Sequence, residues 1–234
     1  MSLAEGAAIL VLLAIALALG IAASRSRQAR QIDPRALLAL DETGAYLRNL
    51  AGFDVRIETE VDRGSGPAAR HLDIRSRYHI HWPDVMYAEL SAEGRSLKFY
   101  FQGGEFIVIS PNLEKHVQIK LPPLLRQAMD FIYWRSGFRV PLARLIYFDS
   151  KAGGGEELTL ARRLGPASLE YGDCGVYALR QGELDLKVWI RRSPEPLPVR
   201  LEIRDPHWRH GSRHIARLDW TAYARRSVLA GQRR

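Results

Sequence analysis

Three histidines, His207, His210 and His214, stand at the H-x-x-H-x-x-x-H spacing that could ligate a transition metal. Arg209 and Arg213 lie among them and would repel a cation. Pro206 and Gly211 point to a loop rather than to the helix that would align such ligands. No metal is therefore expected, and His79 and His81, which share the polar side of a strand pattern, are read as solvated. Two carboxylate pairs, Glu58 with Glu60 and Glu156 with Glu157, have the residue types for general acid–base work. That chemistry needs surroundings that hold the two pKa values apart. The first pair sits on the wet side of a strand pattern and the second beside a glycine loop. The run Gly153–Gly155 lacks the Gly-Lys-Ser/Thr ending of a phosphate loop, and neither a Gly-x-Ser-x-Gly elbow nor a His-Glu-x-x-His helix occurs. The chain is read as non-enzymatic and without a cofactor. Its one cysteine, Cys174, excludes an intramolecular disulfide and a thiolate cluster, and is expected as a small buried apolar group.

The remaining chemistry is apolar. Phe53, Val55, Ile57, Thr59 and Val61 alternate with Asp54, Arg56, Glu58, Glu60 and Asp62. Leu72, Ile74, Ser76, Tyr78, Ile80 and Trp82 then alternate with His71, Asp73, Arg75, Arg77, His79 and His81. Successive residues of a strand point to opposite faces, so these runs predict a sheet with one dry and one wet face. Strands are expected near residues 53–62, 70–82, 85–91, 96–102, 105–110 and 115–121, and again near 167–172, 174–181, 184–192, 197–205 and 213–220. The breaks between them, among them Gly64–Pro67, Trp82–Asp84, Ala92–Gly94 and Gln102–Gly104, are turn chemistry. Strands joined by short turns run antiparallel, as a meander.

Two helical pieces interrupt the strands. Asp33 and Pro34 supply an N-cap and first helical position, and Leu37, Leu40, Leu47 and Leu50 recur at helical spacing, with Gly44 as a weak point. Pro122-Pro123 opens a second stretch in which Leu124, Leu125, Ala128, Phe131, Ile132 and Trp134 form an apolar stripe to about Gly137. The fold class read from this pattern is mainly β (α+β). It is an open, strongly curved antiparallel half-barrel with helices covering its concave side, preceded by an N-terminal hydrophobic helix.

That preceding segment, Ala7–Ala23, carries no charge and no proline. It is near the short limit for a spanning helix and slightly long for a signal sequence. Residues 1–23 are thus read as signal peptide or membrane anchor, 24–32 as a basic linker, 33–220 as the β domain and 221–234 as a basic tail. Arg25, Arg27 and Arg30 follow the segment and argue for a cytoplasmic chain; a sheet beside a membrane argues for export, which is the reading favoured. The chain of 234 residues is 47% hydrophobic with a net charge of +8, ordinary for one large globular domain. Acids and bases are interspersed, so nucleic acid is not an expected partner, and nothing fixes the oligomeric state.

Several motifs in order resemble a family of predicted periplasmic proteins related in fold to lipoprotein carriers of the LolA/LolB type. They are Asp33-Pro34-Arg35-Ala36-Leu37, Trp82-Pro83-Asp84, Phe99-Tyr100 with Gly103, and Val140-Pro141-Leu142-Ala143 with Leu145. Further on come Val188-Trp189-Ile190, Pro196-Leu197-Pro198 and Leu218-Asp219-Trp220. The chain departs from the family at its end, where a basic segment from Thr221 replaces an expected further strand, and at Arg144, where the family often has an acid. The resemblance implies an unclosed antiparallel barrel with helices over its mouth, placed in the periplasm, in a family whose relatives carry acylated or apolar cargo or sense envelope lipoproteins. An uncleaved segment 7–23 would anchor it to the inner membrane, and the alternative to a carrier is a sensor or interaction module using the same sheet. The expected apolar cavity is lined by Ile57, Ile74, Tyr78, Tyr87, Phe99, Phe101 and Val188, with a lipid or acylated protein as partner.

Overall fold

The computed structural model describes residues 31–63, 70–136, 145–151, 158–182, 184–192, 194–205 and 212–225. The chain divides into a unit of residues 1–31, of which Gln31 alone is described, and a second unit of residues 32–234. The hydrophobic helix expected over residues 7–23 lies outside the described residues. Among the described residues no helix is long and apolar enough to cross a membrane.

Among the described residues, twelve strands and two helices follow the order β1 (Gln31–Ile32), α1 (Pro34–Asn49), β2 (Leu50–Arg63), β3 (Arg70–His81), β4 (Val85–Ala92), β5 (Arg95–Gln102), β6 (Glu105–Ser110) and β7 (Lys115–Lys120), with a 3-10 turn at Pro111–Leu113. After β7 come α2 (Leu125–Ser136), β8 (Leu158–Leu169), β9 (Gly172–Gln181), β10 (Leu184–Arg191), β11 (Pro198–Asp205) and β12 (Ser212–Arg225). They form one sheet in the order β1-β8-β9-β10-β11-β12-β2-β3-β4-β5-β6-β7. Two antiparallel meanders, β2–β7 and β8–β12, are thus joined where β12 pairs with β2. The strand expected near 167–172 overlaps only the end of the longer β8, Leu158–Leu169; residues 170–171 turn the chain and Gly172 opens β9. Strand 213–220 continues to Arg225, because a register shift between Trp220 and Ala222 realigns it against Asp54 to Leu50.

The core shows why this sheet bends. Helix α1 packs on both β8 and β2, which are five strand spacings apart. In a flat sheet they would lie ~24 Å apart, more than twice the width of a helix. One core also joins Leu40 and Leu47 of α1 and Leu125 and Ala128 of α2 to Leu158, Leu179, Val188, Leu201, Leu218, Val55, Ile80, Met86 and Phe101, which span β8 through β5. The sheet therefore curls around the helices, and it stays open because its two ends, β1 and β7, do not pair.

Helix α1 starts where Asp33 accepts a hydrogen bond from Arg35 N at 2.9 Å and Pro34 occupies the first turn. Gly44 is not a weak point but a contact. A Cβ at this position would stand 2.5 Å from Phe148 O and 3.1 Å from Leu145 O. Residues Leu145–Ser150 cross the helix there, held on either side. Arg48 Nη1 donates to Ile146 O (2.8 Å) and Phe148 O (2.7 Å), and Asp41 accepts from Ser150 N at 2.8 Å. Edge-on contacts of Phe53 with Trp82 and of Trp82 with Tyr147 tie this crossing to β2 and to the turn before β4.

The outer face is the wet one. His71 lies between Asp62 (2.8 Å) and Asp73 (3.1 Å), Arg217 pairs with Glu60 (2.6 Å), and Glu202 is held by Arg213 (2.9 Å) and Arg204 (3.2 Å). Burial pushes the Glu202 carboxyl up, but its two arginines outweigh burial and hold it below the usual carboxylate range. An exception is a small outer cluster of Cys174, Val176, Trp189 and Val199. It is roofed by Lys187 and Arg200, whose cationic ends each lie 4.8 Å from the Trp189 ring. Cys174 is fully buried there, and burial pushes its thiol up.

Candidate ligand surface

The strand registers decide which side chains share the concave face. Across β3 to β7, Ile80 is opposite Met86, Met86 opposite Phe101, Phe101 opposite Phe106 and Phe106 opposite Ile119. One step further along the strands, Ala88 is opposite Phe99, Phe99 opposite Val108 and Val108 opposite Val117. A third row begins with Leu90 opposite Leu97. All of these side chains are on the dry face, because opposed residues of an antiparallel pair project to the same side.

Coverage falls steeply along these rows. Met86 and Phe101 are 7% and 2% exposed and belong to the core with the helices. Two residues along the same strand, Phe99 is only half-buried, and two further, Leu97 is 38% exposed. On β7, Val117 and Ile119 are 56% and 45% exposed. The apolar face thus continues past the end of its helical cover. What remains is an open apolar strip of Ile74, Leu90, Leu97, Phe99, Val108 and Val117. Phe99 of the strip stacks on Phe106, which packs against the core, at a ring separation of 6.1 Å.

The residues expected to line a cavity divide into three groups. Ile74 and Phe99 lie half-buried on the open strip. Ile57, Phe101 and Val188 are closed into the core, and Tyr78 packs against it, where burial pushes its hydroxyl up. None of these four belongs to the open strip. Tyr87 is on the other side of the sheet altogether. It is opposite His79 and Tyr100, meets the Tyr100 ring at a tilt with 4.8 Å between ring centres, and donates to Glu89. The turn at Trp82–Asp84 resets the alternation, so Met86, Ala88 and Leu90 are the inward residues of β4. Their parity was the available signal, since Tyr87 shares its side with Glu89. Leu97, Val117 and Ile119 were missed although each is the apolar member of an alternating pair, as in Lys115-His116-Val117-Gln118-Ile119.

Among the described residues no group of three or more His, Cys, Asp or Glu is placed to hold a metal ion. His207 and His210 lie outside the described residues.

The model of a family described as predicted periplasmic protein (DUF2092) matches residues 36–225. The chain belongs to this family. The match opens inside α1 and closes on the last residue of β12, so the DUF2092 region takes in both helices and every strand but β1 among the described residues. No curated protein matches the chain in sequence. Solved structures similar to it include LprF from Mycobacterium bovis, at 13% identity and a TM-score of 0.49, covering 82% of this chain and 95% of that one. The lipoprotein LppX from Mycobacterium tuberculosis is 12% identical with a TM-score of 0.47, covering 81% and 96%. A LolA superfamily protein from Nitrosomonas europaea is 11% identical with a TM-score of 0.41, covering 82% and 94%.

Proposed function

We propose that this DUF2092 protein is a non-enzymatic periplasmic binding or carrier protein for a lipidic or acylated ligand. The observation that carries the reading is the exposure gradient along the inner face of β5, from buried Phe101 through Phe99 to exposed Leu97. Monomeric proteins rarely leave a contiguous apolar surface open unless something occupies it. An acyl chain laid along Leu90, Leu97, Phe99 and Val108 would gain about 0.8 kcal/mol per buried methylene, so a chain of ordinary length supplies useful affinity without any polar contact. The aromatic rings and the curled sheet give such a chain a preformed bed.

The family's description as predicted periplasmic supports the compartment. Residues 1–23 are taken as the signal or anchor that delivers the domain, residues 24–32 as its linker and the strand-and-helix region from Asp33 as the working domain.

The test is native mass spectrometry and solvent extraction of the purified protein, followed by titration with a fluorescent acyl probe. A co-purifying lipid, or saturable probe binding that Leu97→Asp weakens, supports the reading. Absence of both, with the protein folded, removes it. Crosslinking from the full-length protein that captures one defined envelope protein and no lipid would favour the alternative, a sensor or interaction module built on the same face.

A further inference from the structure

The uncovered strip ends at two cations. The row that begins with Leu90 opposite Leu97 runs on across the sheet. Lys98 is opposite Ile109, so Leu97 lies alongside Ser110, and Ser110 is opposite Lys115. One step nearer the turns, Ile74 is opposite Ala92 and Ala92 opposite Arg95. Arg95 and Lys115 therefore share the parity of the dry face, in line with Leu97 and Phe99 on β5 and with Val117 and Ile119 on β7. From β4 to β7 every other residue of that parity is apolar except Ser110, and none is acidic.

Several cations of the wet face are met by acids, as Lys98 is by Glu89 (3.4 Å) and Arg217 by Glu60 (2.6 Å). Arg95 and Lys115 are both exposed, and among the described residues neither forms an ion pair. An inward lysine on an edge strand is a known guard against strand addition, which accounts for Lys115 alone. Arg95 is on β5, a strand paired with β4 and β6, where no edge needs guarding. Asn112, in the turn before β7, accepts from Ser96 N (2.8 Å) and donates to Gly94 O (3.3 Å), so it clasps the β4–β5 turn to the β6–β7 turn. β5 and β7 are two strand spacings apart, ~10 Å. The long side chains of Arg95 and Lys115 span that gap from its two sides.

We infer that Arg95 and Lys115 receive the anionic head of the ligand, a carboxylate or phosphate, whose acyl chain lies along Leu97, Phe99, Val108 and Val117. The inference rests on the carrier reading above and narrows its ligand to an anionic amphiphile. Head and tail have separate roles. Methylene burial supplies the bulk of the affinity. The cations fix which way the chain lies, with its head at the two clasped turns and its tail toward Phe101. Arg95 offers a planar fork that matches two oxygens of one head, and Lys115 a point charge. Ser110, half-buried beside them, brings a hydroxyl able to donate to the same oxygens. A neutral ester takes the tail site alone, and a cationic head is repelled.

The experiment titrates the full-length protein at low salt with dansyl-labelled undecanoic acid and with its methyl ester, which share a tail and differ in the charge of the head. The acid should bind about tenfold more tightly than the ester, the factor that one charge-assisted hydrogen bond supplies, and added salt should narrow the gap. Arg95→Gln and Lys115→Gln should each weaken the acid several-fold and leave the ester unchanged, and the ester thereby reports that fold and strip are intact. Equal binding of acid and ester, or a preference for the acid that survives both substitutions together, overturns the inference and leaves the carrier reading standing. Displacement of the acid by an equal concentration of inorganic phosphate also overturns it, by giving the cations to a free anion. Binding of neither probe removes both readings.

Discussion

Gly44 illustrates how a single position is fixed by a segment that no local pattern connects to it. Glycine costs roughly 1 kcal/mol in a helix interior relative to alanine, so Gly44→Ala would stabilise an isolated α1. In the folded protein its Cβ would meet Phe148 O at 2.5 Å and Arg48 Nη1 at 2.8 Å. We expect Gly44→Ala to destabilise by ~1–3 kcal/mol in urea unfolding, the usual cost of overpacking; a gain in stability would show that the Leu145–Ser150 crossing does not rest there. The alternation of helix residues marks Gly44 only as a flaw, because its partner is about a hundred residues away in sequence. His71 is the second residue-scale case. The Asp62 hydrogen bond raises its pKa above the ordinary value; desolvation opposes it, and Asp73 adds to the rise. A histidine raised on folding stabilises fully below its unfolded value near 6.5. That contribution is lost as pH rises through the folded value. NMR titration should therefore find His71 titrating above the ordinary histidine range, and Asp62→Asn should bring it down; an unchanged titration would contradict the pairing.

At the scale of the element, β5 separates support from surface. Phe101→Ala should cost about 3–5 kcal/mol, as for a fully buried aromatic, whereas Leu97→Gln should leave stability within about 0.5 kcal/mol. The same pair should reverse for ligand, with Leu97→Gln weakening acyl-probe binding several-fold in a protein that unfolds normally. Equal loss of stability at the two positions would mean that the strip is core. Strand alternation made the dry face of β2, β3, β5 and β10 legible, since Val55, Ile80, Phe101 and Val188 repeat with period two on unbroken runs. It failed at β4, where the turn before Val85 shifts the phase and carries Tyr87 outward. It failed also along β8, where Arg162, Arg163, Gly165 and Pro166 obscure the pattern because the ladder itself changes register there. Which apolar residues remain uncovered was not legible at all. Leu97 and Phe101 look alike in sequence, and only the reach of α1 and α2 tells them apart.

At the scale of the whole molecule, two meanders joined at the β12–β2 ladder curl around two helices that fill only part of the hollow. Export can be checked independently of cargo. An alkaline phosphatase fused to the C-terminus should be active in cells if the domain is periplasmic and inactive if the arginines after Ala23 hold it inside. The central claim, however, concerns the uncovered part of the hollow. Its most direct measurement is saturation of the purified protein with a fluorescent acyl probe, compared among wild type, Leu97→Asp and Val117→Asp, with thermal unfolding recorded for each. The account predicts saturable binding by wild type and at least tenfold weaker binding by both variants, at unchanged unfolding temperature. Binding that is absent in wild type, or that persists undiminished with charges on the strip, would contradict it.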